Sequence, residues 1–171
     1  MQLTGNNFVL RRWKLSDAPS LQKNADDRSV SATLLDRFPY PYTLANAEAF
    51  INIKVKEDPI TNFAIDIDGE VVGVISVDMR EDIYRKTPLL GYWISPIHRS
   101  KGIITEAVGL ITNYAFTHLD IVCIQANTLG NNPASMRVLE KAGFIKQGIL
   151  PNSVIKDGKI LDEHLFTLHK L

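Results

Sequence analysis

Between Ile94 and Ala107 the chain reads Ile-Ser-Pro-Ile-His-Arg-Ser-Lys-Gly-Ile-Ile-Thr-Glu-Ala. Arg99, Ser100, Lys101 and Gly102 set two cations, a hydroxyl and a conformationally free residue directly ahead of an apolar-striped run. The first amides of a helix have no acceptor within it and carry the positive end of its dipole. The N–H groups from Lys101 through Ile103 to Ile104 can therefore hold a phosphate. The run is neither the Gly-x-x-x-x-Gly-Lys-Ser/Thr phosphate loop nor the three-glycine dinucleotide fingerprint. With a single glycine it also reads as a surface turn whose basic residues are simply solvated. A second cluster lies at Asn131-Asn-Pro-Ala-Ser135. Pro133 suits the first position of a helix and Asn132 its N-cap, which leaves the Ser135 hydroxyl in the first turn. A capped helix start is the plain structural account of these residues. A hydroxyl aimed at a ligand crevice is the functional one.

Both clusters follow apolar strand patterns, Leu89 to Ile94 and Ile121 to Ala126, and both open helices, from about Ile103 to Leu119 and from Asn132-Pro133 to about Ala142. Two neighbouring strand ends that each feed a helix form the kind of crevice in which open sheets bind ligands. The remaining elements supply the frame. Phe8 to Trp13 reads as a strand, and Ser16-Asp17 as the start of a helix. Leu44 to Glu57 carries a helical stripe of Ala47, Phe50, Ile51 and Val55. Phe63–Ile67 and Val71–Val77 flank Asp68-Gly69, a hairpin signal. Two strands, near 149–155 and 161–168, close the chain around Asp157-Gly158. The stretch from Leu34 to Thr43, rich in proline and aromatic residues, resists helix and is a candidate substrate-side loop. This order predicts an α/β (α+β) fold with a mixed, mostly antiparallel sheet flanked by helices.

At 171 residues the chain is expected to form one domain over 1–171. Nineteen basic and nineteen acidic residues leave no surplus of positive charge for a nucleic-acid backbone. No apolar run is long enough to span a membrane, and the first residues lack a signal-peptide pattern, so a cytoplasmic location is expected. Cys123 is the single cysteine. With His118, His164 and His169 it makes no metal-ligand spacing, and no metal is expected.

Taken together, the motifs resemble the GNAT superfamily of acyl-CoA-dependent N-acyltransferases. The match is nearest to its RimJ/RimL-like branch, which includes ribosomal-protein N-terminal acetyltransferases. Leu10-Arg-Arg-Trp-Lys-Leu-Ser-Asp17 is similar to the branch's opening strand and turn, and Gly91-Tyr-Trp-Ile94 to the strand before the acyl-CoA loop. Ser100-Lys-Gly102 with Thr105-Glu-Ala107 resembles Gly-Lys-Gly followed by Thr-Glu-Ala. Asn132-x-x-Ser135 with Val138-Leu-Glu-Lys-x-Gly-Phe144 resembles the late-helix signature. Ile97 and Ser100 depart from the usual Gln/Arg-x-x-Gly-x-Gly/Ala loop, in which Gly102 holds the last glycine.

The resemblance implies a sheet whose fourth and fifth strands splay apart, with acetyl-CoA between them. Trp93 and Ile94 would meet the pantetheine arm, Arg99, Ser100, Lys101, Gly102, Ile103 and Ile104 the pyrophosphate, and Asn132 and Ser135 the pantetheine end. An acceptor amine would attack the thioester directly. Ser135 would serve the leaving thiolate, and Glu106 is a candidate base beside His98, Asp66 and Glu163. Tyr40, Tyr42 and Tyr92 are expected in the acceptor wall, with Phe38, Tyr84 and Trp93 as further candidates. The acceptor is the N-terminus of a ribosomal or other protein, or a small amine such as a polyamine, an amino sugar or an amino acid. A non-catalytic acyl-CoA-binding domain is a third reading. The family also implies a homodimer.

Overall fold

The computed structural model describes residues 1–170. One eight-stranded sheet runs in the order β1-β2-β3-β4-β5-β6-β8-β7. Its strands are β1 (Gln2–Thr4), β2 (Val9–Arg11), β3 (Asn62–Ile67), β4 (Glu70–Asp78), β5 (Leu89–Ile94), β6 (Cys123–Leu129), β7 (Ile145–Lys156) and β8 (Lys159–His169). Every pairing is antiparallel except that of β5 with β6. The helices are α1 (Ala18–Ala25), α2 (Arg28–Ser31), α3 (Leu44–Lys54), α4 (Ile103–His118) and α5 (Pro133–Lys141). The expected mixed, mostly antiparallel sheet flanked by helices is the observed architecture.

The apolar periodicities explain the layers. In α4, Ile103, Ala107, Val108, Ile111, Tyr114 and Ala115 are all buried, a stripe at helical spacing that packs against Phe63, Ile75, Ile124 and Phe166 of the sheet. The other face of the sheet buries Ala64, Val71 and Val74 against Leu21 of α1 and Ile51 of α3. The turn residues behave as their types require. Asp68 and Gly69 take φ of 53° and 88°, and Asp157 and Gly158 take 50° and 75°, the positive values that two-residue hairpins need.

Several elements differ from the sequence reading, among them the following. β1 adds a strand before Phe8, so the splayed pair are the fifth and sixth strands rather than the fourth and fifth. β6 begins at Cys123, after Ile121 and Val122. β7 begins at Ile145 and not near Ile149. It is an edge strand, exposed over most of its length, so it has no buried face to imprint an alternation.

Two local devices fix the strands that matter for the site. Arg11 on β2 binds both carboxylate oxygens of Asp17, at 2.8 and 2.9 Å, and its Nε donates to Asp66 of β3 at 2.7 Å. Asp17 in turn accepts from the Lys14 amide and Asp66 from the Gly69 amide. All three charged residues are buried. On β4, Gly73 lies opposite Ile94, and a Cβ there would stand 2.4 Å from the Trp93 carbonyl oxygen. Only glycine lets β4 approach the last residues of β5 this closely.

Candidate active site

The parallel pair at the middle of the sheet is barely a pair. β5 and β6 share one register match, Leu89 with Gln125, supported by the Gln125 amide donating to the Pro88 carbonyl at 3.0 Å. From Leu90 to Ile94, β5 bonds β4 on one side and has no strand on the other. Half of its backbone polar groups thus face a gap inside the sheet, where they need a partner.

The basic loop sits at the far end of that gap. A short 3₁₀ turn at Pro96–His98 leads into it. Ser100 adopts φ 61° and Gly102 φ 79°, and Gly102 directly precedes α4. The first i→i−4 bond of the helix runs from the Glu106 amide to the Gly102 carbonyl, so the amides of Ile103, Ile104 and Thr105 precede the helical ladder. Nothing lies within 4 Å of where a Gly102 Cβ would be. The space above the loop is therefore open to an incoming group. Ser100 takes the left-handed conformation that a glycine would adopt without strain, which accounts for how serine can stand at that point of the loop. His98, half-buried beside it, has its pKa lowered by burial and then by the charge of Lys101.

Loop, gap and α5 together line a cleft of about 470 Å³ that includes Trp93, Ile94, residues 99 to 104, Asn132 and Ser135. Every residue expected to meet acetyl-CoA is brought to this one cleft. Arg137 and Lys141 complete its basic lining. The sequence reading missed both, although they follow Pro133 at i+4 and i+8 on the same helix and helical spacing alone would have found them.

The start of α5 has the expected cap. The Asn132 side chain accepts from the Ser135 amide at 3.2 Å. The Ser135 hydroxyl meets the Tyr92 hydroxyl at 2.8 Å and stands 3.5 Å from Thr128 Oγ1. Burial pushes the Tyr92 phenol up to about 12, although the bond to Ser135 pulls the other way. Tyr92 thus keeps its proton at neutral pH and can donate it. Tyr92, Asn132, Ser135 and Thr33 also line a second cavity of about 540 Å³, on the side of residues 33 to 37, with Asp36, Asp78, Lys156 and Glu163 in its wall. The two cavities meet at the Tyr92–Ser135 pair.

Other candidates are placed elsewhere. Glu106 accepts from the Asn6 amide at 2.9 Å and lines a recess with Asn7 and Phe8 that adjoins the first cleft along Lys101 to Ile103, but it lines neither cavity described above itself. Its bond secures the N-terminal turn. Asp66 is committed to Arg11 and the Gly69 amide. Tyr42 is buried and stacks on Phe38, with ring centroids 4.9 Å apart, and Phe38 packs edge-on against Trp93. Tyr40 is exposed, with Arg28 over its ring, and Tyr84 is exposed under Arg80. Of the three tyrosines expected in the acceptor wall, Tyr92 alone reaches a cavity. Tyr42 packs instead into the apolar layer on the α1 and α3 side of the sheet. Of the four base candidates, Glu163 is the carboxylate in the second cavity, where its Oε1 accepts from Asn127 at 3.1 Å. Among the described residues no group of three or more His, Cys, Asp or Glu side chains forms a metal site, and no helix is long and apolar enough to cross a membrane.

The sheet is thus parted between two strands, with a basic helix start at one end of the gap and a hydroxyl pair beside it. The family model for the acetyltransferase (GNAT) domain matches residues 7–145, and the chain belongs to that family of acetyl-CoA-dependent N-acetyltransferases. It is 39% identical to the Probable N-acetyltransferase YjcK of Bacillus subtilis, over 95% of this chain and 93% of that protein. In fold it is similar to RimL, a ribosomal alpha-N-protein acetyltransferase solved with coenzyme A, with TM-score 0.87 and 18% identity over 99% and 98% of the two chains. It is also similar to the spermidine N-acetyltransferase of Vibrio cholerae solved with CoA and spermine, with TM-score 0.79 and 18% identity over 96% of each chain.

Proposed function

We propose that the 470 Å³ cleft holds acetyl-CoA, that the 540 Å³ cavity holds the acceptor amine, and that transfer takes place where they meet at Ser135 and Tyr92. That junction is the observation that carries the reading. The amides at the start of α4 with Arg99 and Lys101 suit a pyrophosphate, by hydrogen bonds and by charge. The free edge of β5 suits an arm of amides, which would add to the sheet as a strand does.

The acceptor must be neutral to attack, since an ammonium has no lone pair. Its nitrogen bonds to the thioester carbon, the C–S bond breaks, and the sulfur takes up a proton. Tyr92, held protonated by burial, donates to Ser135 and orients that hydroxyl so that its own hydrogen faces the departing sulfur. Serine is a weak acid, and its contribution is a positioned hydrogen bond and relay. Glu163 is the group best suited to receive the proton the amine gives up. The basic residues of α5, Arg137 and Lys141, extend the same positive field along the donor cleft.

Two acceptor classes follow from different observations. Membership of the RimJ/RimL-like branch, with a protein N-terminus as acceptor, rests on the motif resemblance and on the likeness in fold to RimL. A small amine rests on the second cavity, whose size is that of a small-molecule site.

Titration calorimetry tests the donor site. The Gly102→Asp variant sets a side chain into open space, on a backbone with φ of 79° that disfavours it, and adds a negative charge where phosphate is held. Acetyl-CoA affinity is expected to fall at least tenfold, while the far-ultraviolet circular dichroism stays unchanged. Undiminished affinity would remove the loop from the donor site.

A further inference from the structure

A long-range contact spans two walls of the second cavity. The segment 33–37 after α2 and the end of β7 are two of its walls, beside β4, β5, β6, α5 and β8, and Lys156 on β7 donates from Nζ to Asp36 Oδ1 at 2.8 Å. The lysine is buried, with 10% of its side chain exposed, whereas Asp36 lies at the rim with 75% exposed. A buried lysine forgoes its hydration and needs a partner, so the contact draws the segment onto β7. A second, surface pair joins the same two bodies: Arg28 of α2 reaches Asp157 of the β7–β8 turn at 3.3 Å. Because Asp36 answers the charge of Lys156, the ammonium does not repel a cationic acceptor. Of the other lining carboxylates, Asp78 has no ion-pair partner among the described residues and Glu163 has only the Asn127 amide. Arg37 also lines the cavity without an ion-pair partner among the described residues, so the lining carries one more carboxylate than cations and favours an ammonium group by that single charge, while the walls limit what can follow it.

We infer that Lys156 and Asp36 form a clasp that sets acceptor selectivity, confining the enzyme to compact cationic amines and excluding polypeptide N-termini. The inference rests on the assignment of this cavity to the acceptor. The clasp touches neither the donor cleft nor the Tyr92–Ser135 pair, so it acts on which amine is held and for how long.

The test compares compact amines (a short diamine, an amino-acid amide, an amino sugar) with an octapeptide bearing a free N-terminus, all with acetyl-CoA. The unaltered chain is expected to favour a compact amine. Asp36→Asn, an exposed change that leaves the core intact, and Lys156→Met, which preserves the buried stem, should raise KM for that amine about fivefold. They should leave kcat within about twofold and narrow the preference over the octapeptide by about fivefold. The charge-reversed pair Asp36→Lys with Lys156→Glu should recover part of the preference. Preference for the octapeptide by the unaltered chain, or an unchanged ratio in the Asp36→Asn variant, overturns the inference while leaving acetyl transfer standing. Failure of the unaltered chain to acetylate any of these amines, despite binding acetyl-CoA, overturns the acceptor assignment and the clasp together.

Discussion

Replacing Ser135 by alanine is expected to lower kcat by about 10²- to 10⁴-fold, the usual worth of a positioned proton transfer. The variant keeps its Asn132 cap, because the cap is accepted from the Ser135 amide and not from the hydroxyl. The helix start and the donor cleft should therefore persist, and acetyl-CoA affinity should change by no more than a few-fold. Tyr92→Phe separates the two hydroxyls. It removes the hydroxyl bonded to Ser135 while leaving a ring in place, and a smaller loss of kcat with unchanged KM is expected. Steady-state kinetics with both substrates saturating read the effect. A fall of less than about threefold in the Ser135 variant would show that the thiolate leaves without help from this residue.

The largest effect on stability should come from Arg11. Its removal leaves the carboxylates of Asp17 and Asp66 facing one another in a buried space, and the loss of one member of such a group typically costs about 3–5 kcal/mol. Arg11→Met keeps much of the volume and exposes the electrostatic cost. Its unfolding free energy in urea is expected to drop by that amount. Adding Asp66→Asn should recover part of the loss, because the amide removes one unpaired charge and still accepts from Gly69. Loss below about 1 kcal/mol, or further destabilisation by the second change, would mean that the network contributes through packing rather than charge.

The residues that line the proposed donor cleft were readable from the sequence for a physical reason. A helix start suited to phosphate is local: Arg99 to Ile104 are contiguous, and Asn132 and Ser135 lie within one turn. The strand patterns of β3 to β6 were readable because these strands are buried at the centre of the sheet. The proposed acceptor side was not readable in this way. Its walls come from residues 33–37, Asp78, Lys156 and Glu163, which meet only through the fold, and the Lys156–Asp36 contact spans 120 positions. Aromatic residues misled for the same reason. Nothing in the alternation of Phe38, Tyr40 and Tyr42 with proline says which face of the loop turns inward, and in the fold Phe38 and Tyr42 pack behind β5. Glu106 fits its motif, yet its carboxylate turns to the Asn6 amide, a partner 100 positions away.

The single register match between β5 and β6 makes the sheet two half-sheets joined near Leu89. The protein's cohesion then belongs partly to whatever fills the parting. Donor concentration becomes a variable of folding as well as of catalysis, since a ligand bound to the folded state alone stabilises it by about 2.7 kcal/mol at a hundred times its Kd. The melting temperature should climb with the logarithm of coenzyme A concentration in differential scanning fluorimetry, and for the Gly102→Asp chain the same climb should begin only at coenzyme A concentrations at least about tenfold higher.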